Sequence, residues 1–362
     1  MPVSAIVLAA GEGTRMRSSR PKPLHMICGR PMVMHVIHAL AGLEVDRTVV
    51  VVGHGAEQVT KKVQEQSPDW ANVSFVEQVE QRGTGHAVIV GLTAFPDDDL
   101  DDTSTIVVLP GDTPLLRAET IDDFIAAHEA SGFGATLLTA RMSDPSGYGR
   151  VVRAKDGRVV QIVEQRDASA EERAITEINT GIYAFRRDLL GPALRHLSPD
   201  NAQSEYYLTD VIHVLAGMGH RIGSVIADDP AETQGVNDRW QLALAERELR
   251  RRTNKAFLLN GVTMLDPRQT FIDVTVELGR DVTLFPGTIL QGRTVVGNGT
   301  EVGPNTRLVD TIVGKRCVVE NTVAHDCEIG DDAHVGPFAS LHPGTSVAAG
   351  QHTGPFYTGS PG

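Results

Sequence analysis

The chain has 362 residues, 41% of them apolar and 22% charged, and a formal net charge of −13. That length can bury a substantial core and predicts two domains, or one large domain with an appendage. The acidic balance excludes general nucleic-acid binding and an anionic membrane surface, so any phosphate-bearing substrate must meet a local basic patch.

Val3–Leu8 is short, apolar and rich in β-branched residues, which predicts a buried strand. It runs into Gly11 and Gly13, where the backbone is free to take positive φ and turn consecutive amides toward an anion. Arg15 and Lys22 add full positive charges behind that turn. The third glycine of a dinucleotide fingerprint would fall at Met16, and the P-loop lysine is missing, so the pattern alone leaves a phosphate site and an ordinary tight turn both open.

Further strands are expected at 47–52, 73–77, 105–109, 135–139 and 181–185, with helices at 31–40, 55–66, 85–94, 118–130 and 187–190. This alternation predicts an α/β fold with a mainly parallel sheet covered on both faces and its ligand at the carboxyl ends of the strands. Asp112, just after an apolar strand, is placed either for Mg²⁺ or for capping the helix that follows. Gln81–Ala87 is a second glycine turn; its backbone could lie along a base beside the Gln78 amide, or Thr84 could simply cap a helix. His86 is expected to be structural. Gly147–Arg150, Glu164 and Asn179 are candidates for reading sugar hydroxyls, each also open to a plain surface role. Residues 165–177 read as a surface turn with a partial helix, and 201–210 as a pocket wall or packed crossover.

From residue 235 a connecting helix is expected to about 258, capped by Asn237, with Trp240, Leu242, Leu244 and Leu249 on its apolar face. Arg250–Arg252 fit a solvent-facing or partner-facing helix end better than nucleic-acid contact. Beyond it, apolar residues recur every sixth position: Leu278, Leu284, Leu290, Val296, Val302 and Leu308, then Val323, Ile329, Val335, Leu341 and Val347, with Cys317 taken as in phase between. Neither helices nor alternating strands have that period, and a parallel β-helix over 259–350 is predicted, about five coils long. Such prisms associate sideways, so a homo-oligomer is expected, a trimer first. The tail 351–362 is read as poorly ordered, with Phe356 and Tyr357 over the open end. Cys28, Cys317 and Cys327 are odd in number and lack metal-ligand spacing, which predicts a reduced, cytoplasmic protein. No stretch has the length of a signal peptide or a membrane span, so no membrane partner is expected.

Leu8–Arg17, Pro21–His25, Gly83–Ala87, Gly111–Leu115, Gly147–Arg150, Glu164–Gln165, Asn179–Gly181, Glu205–Asp210 and Gly235–Asn237 occur in the order of one known family. The chain resembles the uridyltransferase half of the bacterial bifunctional N-acetylglucosamine-1-phosphate uridyltransferase/glucosamine-1-phosphate acetyltransferases. The resemblance implies a Rossmann-like, GT-A-like nucleotidyltransferase domain over 1–234 and a short left-handed parallel β-helix of hexapeptide repeats. It implies that Ala10, Gly11 and Gly13 wrap a nucleoside triphosphate and that Arg15 and Lys22 contact its phosphates. Gln78, Gly83 and Thr84 would hold the base, Asp112 and Asn237 would bind Mg²⁺, and Gly149, Glu164 and Asn179 would hold the sugar. Arg15, Lys22 and Asp112 would carry the chemistry, attack of a sugar 1-phosphate on the α-phosphorus with release of pyrophosphate.

The family continues through coils that hold an acetyltransferase site; its catalytic histidine and acetyl-CoA contacts are absent from this sequence, and His342 stands where the family carries an arginine. No acetyl transfer is therefore expected. Pro110 and Arg82 also depart from the family beside the ligands. They keep open a specialised enzyme using GTP or another triphosphate with a cyclitol or unusual sugar 1-phosphate, as in antibiotic biosynthesis. The third reading is a non-catalytic scaffold of the same fold.

Overall fold

A computed structural model describes residues 3–95 and 104–359. Contacts divide the chain into two units: residues up to 25 with 31–242, and residues 26–30 with 243 onward. The division falls inside the helix Arg239–Leu259. It also gives a short N-terminal segment to the second unit.

In the first unit, β1 (Val3–Ala9), α1 (Met32–His38), β2 (Val45–Val52), α2 (Ala56–Gln66), β3 (Val73–Glu77) and α3 (Thr84–Leu92) come first. Then follow β4 (Thr105–Pro110), α4 (Ala118–Ser131), β5 (Ala135–Arg141) and the hairpin of β6 (Arg150–Arg153) and β7 (Val159–Val163). The unit continues with α5 (Ala170–Arg173), β8 (Glu177–Arg186), α6 (Arg187–Leu194), α7 (Asp210–Gly217) and β9 (Ile222–Ile226). The nine-stranded sheet has the order β9-β5-β8-β4-β1-β2-β3, with the hairpin attached to β8. Pairing is parallel except at β8, which lies antiparallel between β4 and β5, and within the hairpin.

The strands are apolar throughout because both faces are covered. Ala5, Val7, Val50, Val107 and Leu109 face α1 and α4, meeting Val33, Ile37, Ile121 and Phe124. The alternate residues Ile6, Val49, Val51, Ile106 and Val108 face the other way, onto Val88 of α3, Leu190 of α6 and Val211 and Leu215 of α7. Parallel register brings the ends of β1, β2, β3 and β4 to one edge: the Gly111 amide donates to Leu8 O at 2.9 Å and the Gln78 amide to Val52 O at 2.8 Å.

In the second unit, short parallel strands stack into three sheets of five, six and five strands. Inward positions are Leu284, Leu290, Val296, Val302, Leu308, Val313, Val319, Ala324, Ile329, Val335, Leu341 and Val347. The six-residue period therefore slips to five after Leu308 and on both sides of Ala324. Each slip coincides with a left-handed corner residue, Asp310, Asn321 or Asp326. Two expectations change as a result. Val323 points outward, 53% exposed, while Ala324 is fully buried. Cys317 is buried, but at the corner that precedes the inward Val319. At the equivalent corners Thr288, Thr294, Thr300, Thr306, Thr311 and Thr322 are fully buried. Their hydroxyls donate to carbonyls of their own and the next coil, as from Thr288 to Phe285 O at 2.7 Å and Val302 O at 3.0 Å.

The tail is also more ordered than expected. Thr358–Gly359 pairs with Ser340–Leu341, and Phe356 stacks on Phe338 at 5.4 Å. Residues 351–359 thus extend the prism instead of hanging from it, and 360–362 lie outside the described residues. The segment 26–30 packs against the same unit: the Cys28 amide donates to Glu246 Oε2 at 2.7 Å, and the Val274 amide to Cys28 O at 3.0 Å. Among the described residues no helix is long and apolar enough to cross a membrane.

Candidate active site

At the carboxyl edge of the first unit lies a cavity of about 550 Å³ lined by Ala10, Gly11, Lys22, Gln78, Gly83, Thr84, Pro110 and Asp112, among others. The turn after β1 forms one wall. Gly13 is left-handed, with φ 68°, and a Cβ there would lie 2.6 Å from Lys22 Cβ, so only glycine lets the lysine stem pass this close. Gly11 differs from expectation. Its φ is not positive, and a Cβ there would meet nothing within 4 Å, because it would project into open space.

Charged and polar groups converge at the mouth. The Lys22 ammonium donates to Asp112 Oδ2 in an ion pair, and to Asn237 Oδ1 at 3.0 Å. Arg15 Nη2 donates to the same Asn237 oxygen at 2.9 Å. The helix start is organised to leave that oxygen free: Asp238, not Asn237, accepts the Gln241 amide at 2.8 Å. The expectation that Asn237 caps the helix is thereby corrected, since its side chain turns back to the lysine and arginine. Asp112 does not serve as a helix cap either; the helix after it begins at Ala118, with Arg117 before it.

The opposite wall is the second glycine turn. Gln78 is 3% exposed, and its Nε2 lies 3.2 Å from Gly83 O and 3.1 Å from His86 Nδ1. The amide thus braces the turn, and His86 has the structural role expected of it. Gly83 has φ 101°, and a Cβ there would lie 2.6 Å from Tyr206 O. Thr84 does not cap α3. Its hydroxyl accepts the Leu208 amide at 3.1 Å, while the Gly85 amide donates to Tyr206 O at 2.8 Å. The 201–210 stretch is therefore a crossover packed behind this turn, and it contributes Glu205 to the cavity lining.

Gly149, Glu164 and Asn179 also come together. A Cβ at Gly149 would lie 3.5 Å from both Asn179 Cβ and Glu164 Oε1. Asn179 is 8% exposed and donates to the Tyr183 hydroxyl at 2.7 Å. Burial raises the Glu164 carboxyl above its ordinary range. This trio does not line the main cavity; Glu164 lines a neighbouring one of about 380 Å³ with Asp167, Tyr207 and Asp210. It borders the main cavity through Gly181, whose Cβ position is 3.6 Å from Pro110 Cγ. Burial and then the Asp112 carboxylate raise the Tyr148 hydroxyl above its ordinary range. Sequence reasoning gave no role to Glu12, which lines the cavity, and singled out neither Gln81 nor Glu205 within the two stretches it read as a base-side turn and a pocket wall.

The family model of nucleotidyl transferases matches residues 4–240. A bifunctional protein GlmU of Thermobifida fusca is 51% identical over 91% of this chain and 67% of its own length. One from Streptomyces avermitilis is 49% identical over 98% of this chain and 73% of its own. The GlmU of Halalkalibacterium halodurans is 43% identical over 95% and 73%. The match spans both the sheet that carries the cavity and the stacked coils that follow, so the chain belongs to the nucleotidyl transferase family as a GlmU-like nucleotidyltransferase.

Proposed function

We propose that the protein joins UTP and N-acetylglucosamine 1-phosphate, with Mg²⁺, to give UDP-N-acetylglucosamine and pyrophosphate. The observation that carries this reading is the convergence of Arg15, Lys22, Asp112 and Asn237 at the mouth of a cavity walled by two glycine turns. The substrates follow from the sequence resemblance. Arg82, the residue that could favour a purine, pairs with Glu80 and does not line the cavity, which supports a pyrimidine.

The attacking oxygen of a sugar 1-phosphate is already ionised, so the site needs no strong base. It needs in-line placement of the two phosphorylated compounds and cancellation of the negative charge that grows on the α-phosphoryl and the leaving pyrophosphate. Lys22 and Arg15 supply positive charge to the phosphates, and the open face at Gly11 lets them approach the backbone. Gly149, Glu164 and Asn179 fix the sugar ring and its N-acetyl group. The donor set suits the metal: one carboxylate and one amide oxygen, both hard, meet at the Lys22 ammonium, and magnesium takes one or two protein oxygens with water and substrate phosphates. Mg²⁺ held by Asp112 and Asn237 would supply further charge neutralisation on the phosphates.

Pyrophosphate release measured for UTP, GTP, dTTP, ATP and CTP against hexose and cyclitol 1-phosphates tests the assignment. The fastest pair is expected to be UTP with N-acetylglucosamine 1-phosphate, with loss of activity on chelation. A faster GTP and cyclitol pair would replace these substrates, and no release with any triphosphate would leave a scaffold. The proposal includes a homotrimer through the β-helix, supported by the outward Phe271, Ile312 and Val323, each more than a third exposed. Light scattering should then give three times the 38.9 kDa chain mass; a single chain mass would exclude it.

A further inference from the structure

Lys22 holds the place that a metal would take. Its ammonium donates to both Asp112 Oδ2 and Asn237 Oδ1, and Arg15 donates to the second of these oxygens. The pair is sheltered, with the Lys22 side chain 13% and the Asp112 side chain 26% exposed, so solvent screens it incompletely. The lysine stem is held against Gly13. A divalent cation bound by the same two oxygens would stand beside the ammonium and repel it. Both cannot use these oxygens together.

We infer that Lys22 is a plug as well as a phosphate ligand: in the nucleotide-free protein it keeps the metal out, and a triphosphate opens the site by drawing the ammonium onto its own oxygens. This rests on the metal reading given above and adds an order to it, in which metal and nucleotide enter together. The coupling runs both ways. Whatever factor the nucleotide gains for the metal, the metal gains for the nucleotide. A protein built so does not spend its time with a bare metal ion at an empty site, and the lysine reaches the phosphates only when there are phosphates to reach.

The test is Mn²⁺ binding to the full-length, nucleotide-free protein, followed by the electron paramagnetic resonance signal of the free ion. Replacing the ammonium by an apolar chain of similar length, Lys22→Met, is expected to tighten Mn²⁺ binding at least about tenfold, within the usual range of coupling between sites. Adding Asp112→Asn to Lys22→Met should abolish the gain. If Lys22→Met unfolds, as a thermal melt would show, Lys22→Gln takes its place with the same expectation. Binding by the folded variant that is equal to or weaker than that of the unaltered protein overturns the plug. Failure of the metal reading itself has a separate sign, normal pyrophosphate release by Asp112→Asn at limiting Mg²⁺.

Discussion

An alanine at position 13 would put its Cβ 2.6 Å from Lys22 Cβ and force a side chain into a left-handed backbone, whereas an alanine at position 11 would touch no protein atom within 4 Å. Gly13→Ala should therefore lower both the melting temperature and turnover. Gly11→Ala should leave the melting temperature alone and lower turnover at least about tenfold, if phosphates pass close to that backbone. Melting curves beside steady-state rates separate the two; unchanged turnover in Gly11→Ala would move the phosphates elsewhere. If Lys22 meets the leaving pyrophosphate as proposed, Lys22→Ala removes positive charge there, and turnover should fall about 100-fold or more, as when one such stabilising donor is lost. His128, 2% exposed and 2.8 Å from the Thr136 hydroxyl, is drawn down to about 4 by burial first and the Arg186 charge second. Its unfolded value is near 6.5, so between those values the unfolded chain binds more protons and stability falls as pH falls. The loss is about 3 kcal/mol across that window at 1.36 kcal/mol per unit, and denaturant titrations of the protein and of His128→Gln at the two ends would measure it.

Much of the first unit was legible because buried parallel strands are short, apolar and bounded by glycine. β3 was read to the residue, and β1, β4, α2 and α4 within one or two. The hairpin of β6 and β7 and the helix α7 were missed, although Asp156-Gly157, with Gly157 at φ 85°, marks the hairpin turn. Antiparallel β8 was read short because its first half, Glu177–Thr180, is polar; Glu177 is held by Arg153 and Thr139, partners that no local pattern shows. In the coils, the period-six reading located the prism but not its slips, since Val323 looks as apolar as its neighbours and only the corners at Asp310, Asn321 and Asp326 shift the phase. Leu308→Ala, at a fully buried inward position, should cost about 3 kcal/mol, and Val323→Ala less than about 0.5 in a monomeric state. Chemical unfolding of both distinguishes the slipped register from the regular one, which would make Val323 the costly position.

For the whole molecule, the ordered match of Leu8–Arg17, Gly83–Ala87, Gly111–Leu115 and Gly235–Asn237 to one family led to the nucleotidyltransferase; the glycine turn and its basic residues alone left a phosphate site and a tight turn both open. The role proposed for Asn237 comes only through resemblance; by local pattern it reads as a helix cap, and the fold gives that task to Asp238. Arg15, Lys22, Asp112 and Asn237 are brought to one point from three distant segments of the chain, and that convergence is what the functional reading stands on. A crystal structure of the protein with a non-hydrolysable uridine triphosphate analogue and Mg²⁺ tests it most directly. The expected result is the triphosphate against Lys22 and Arg15, the metal on Asp112 and Asn237, and the base beside Gly83. A nucleotide seated outside this cavity, with the Lys22–Asp112 pair intact, would contradict it.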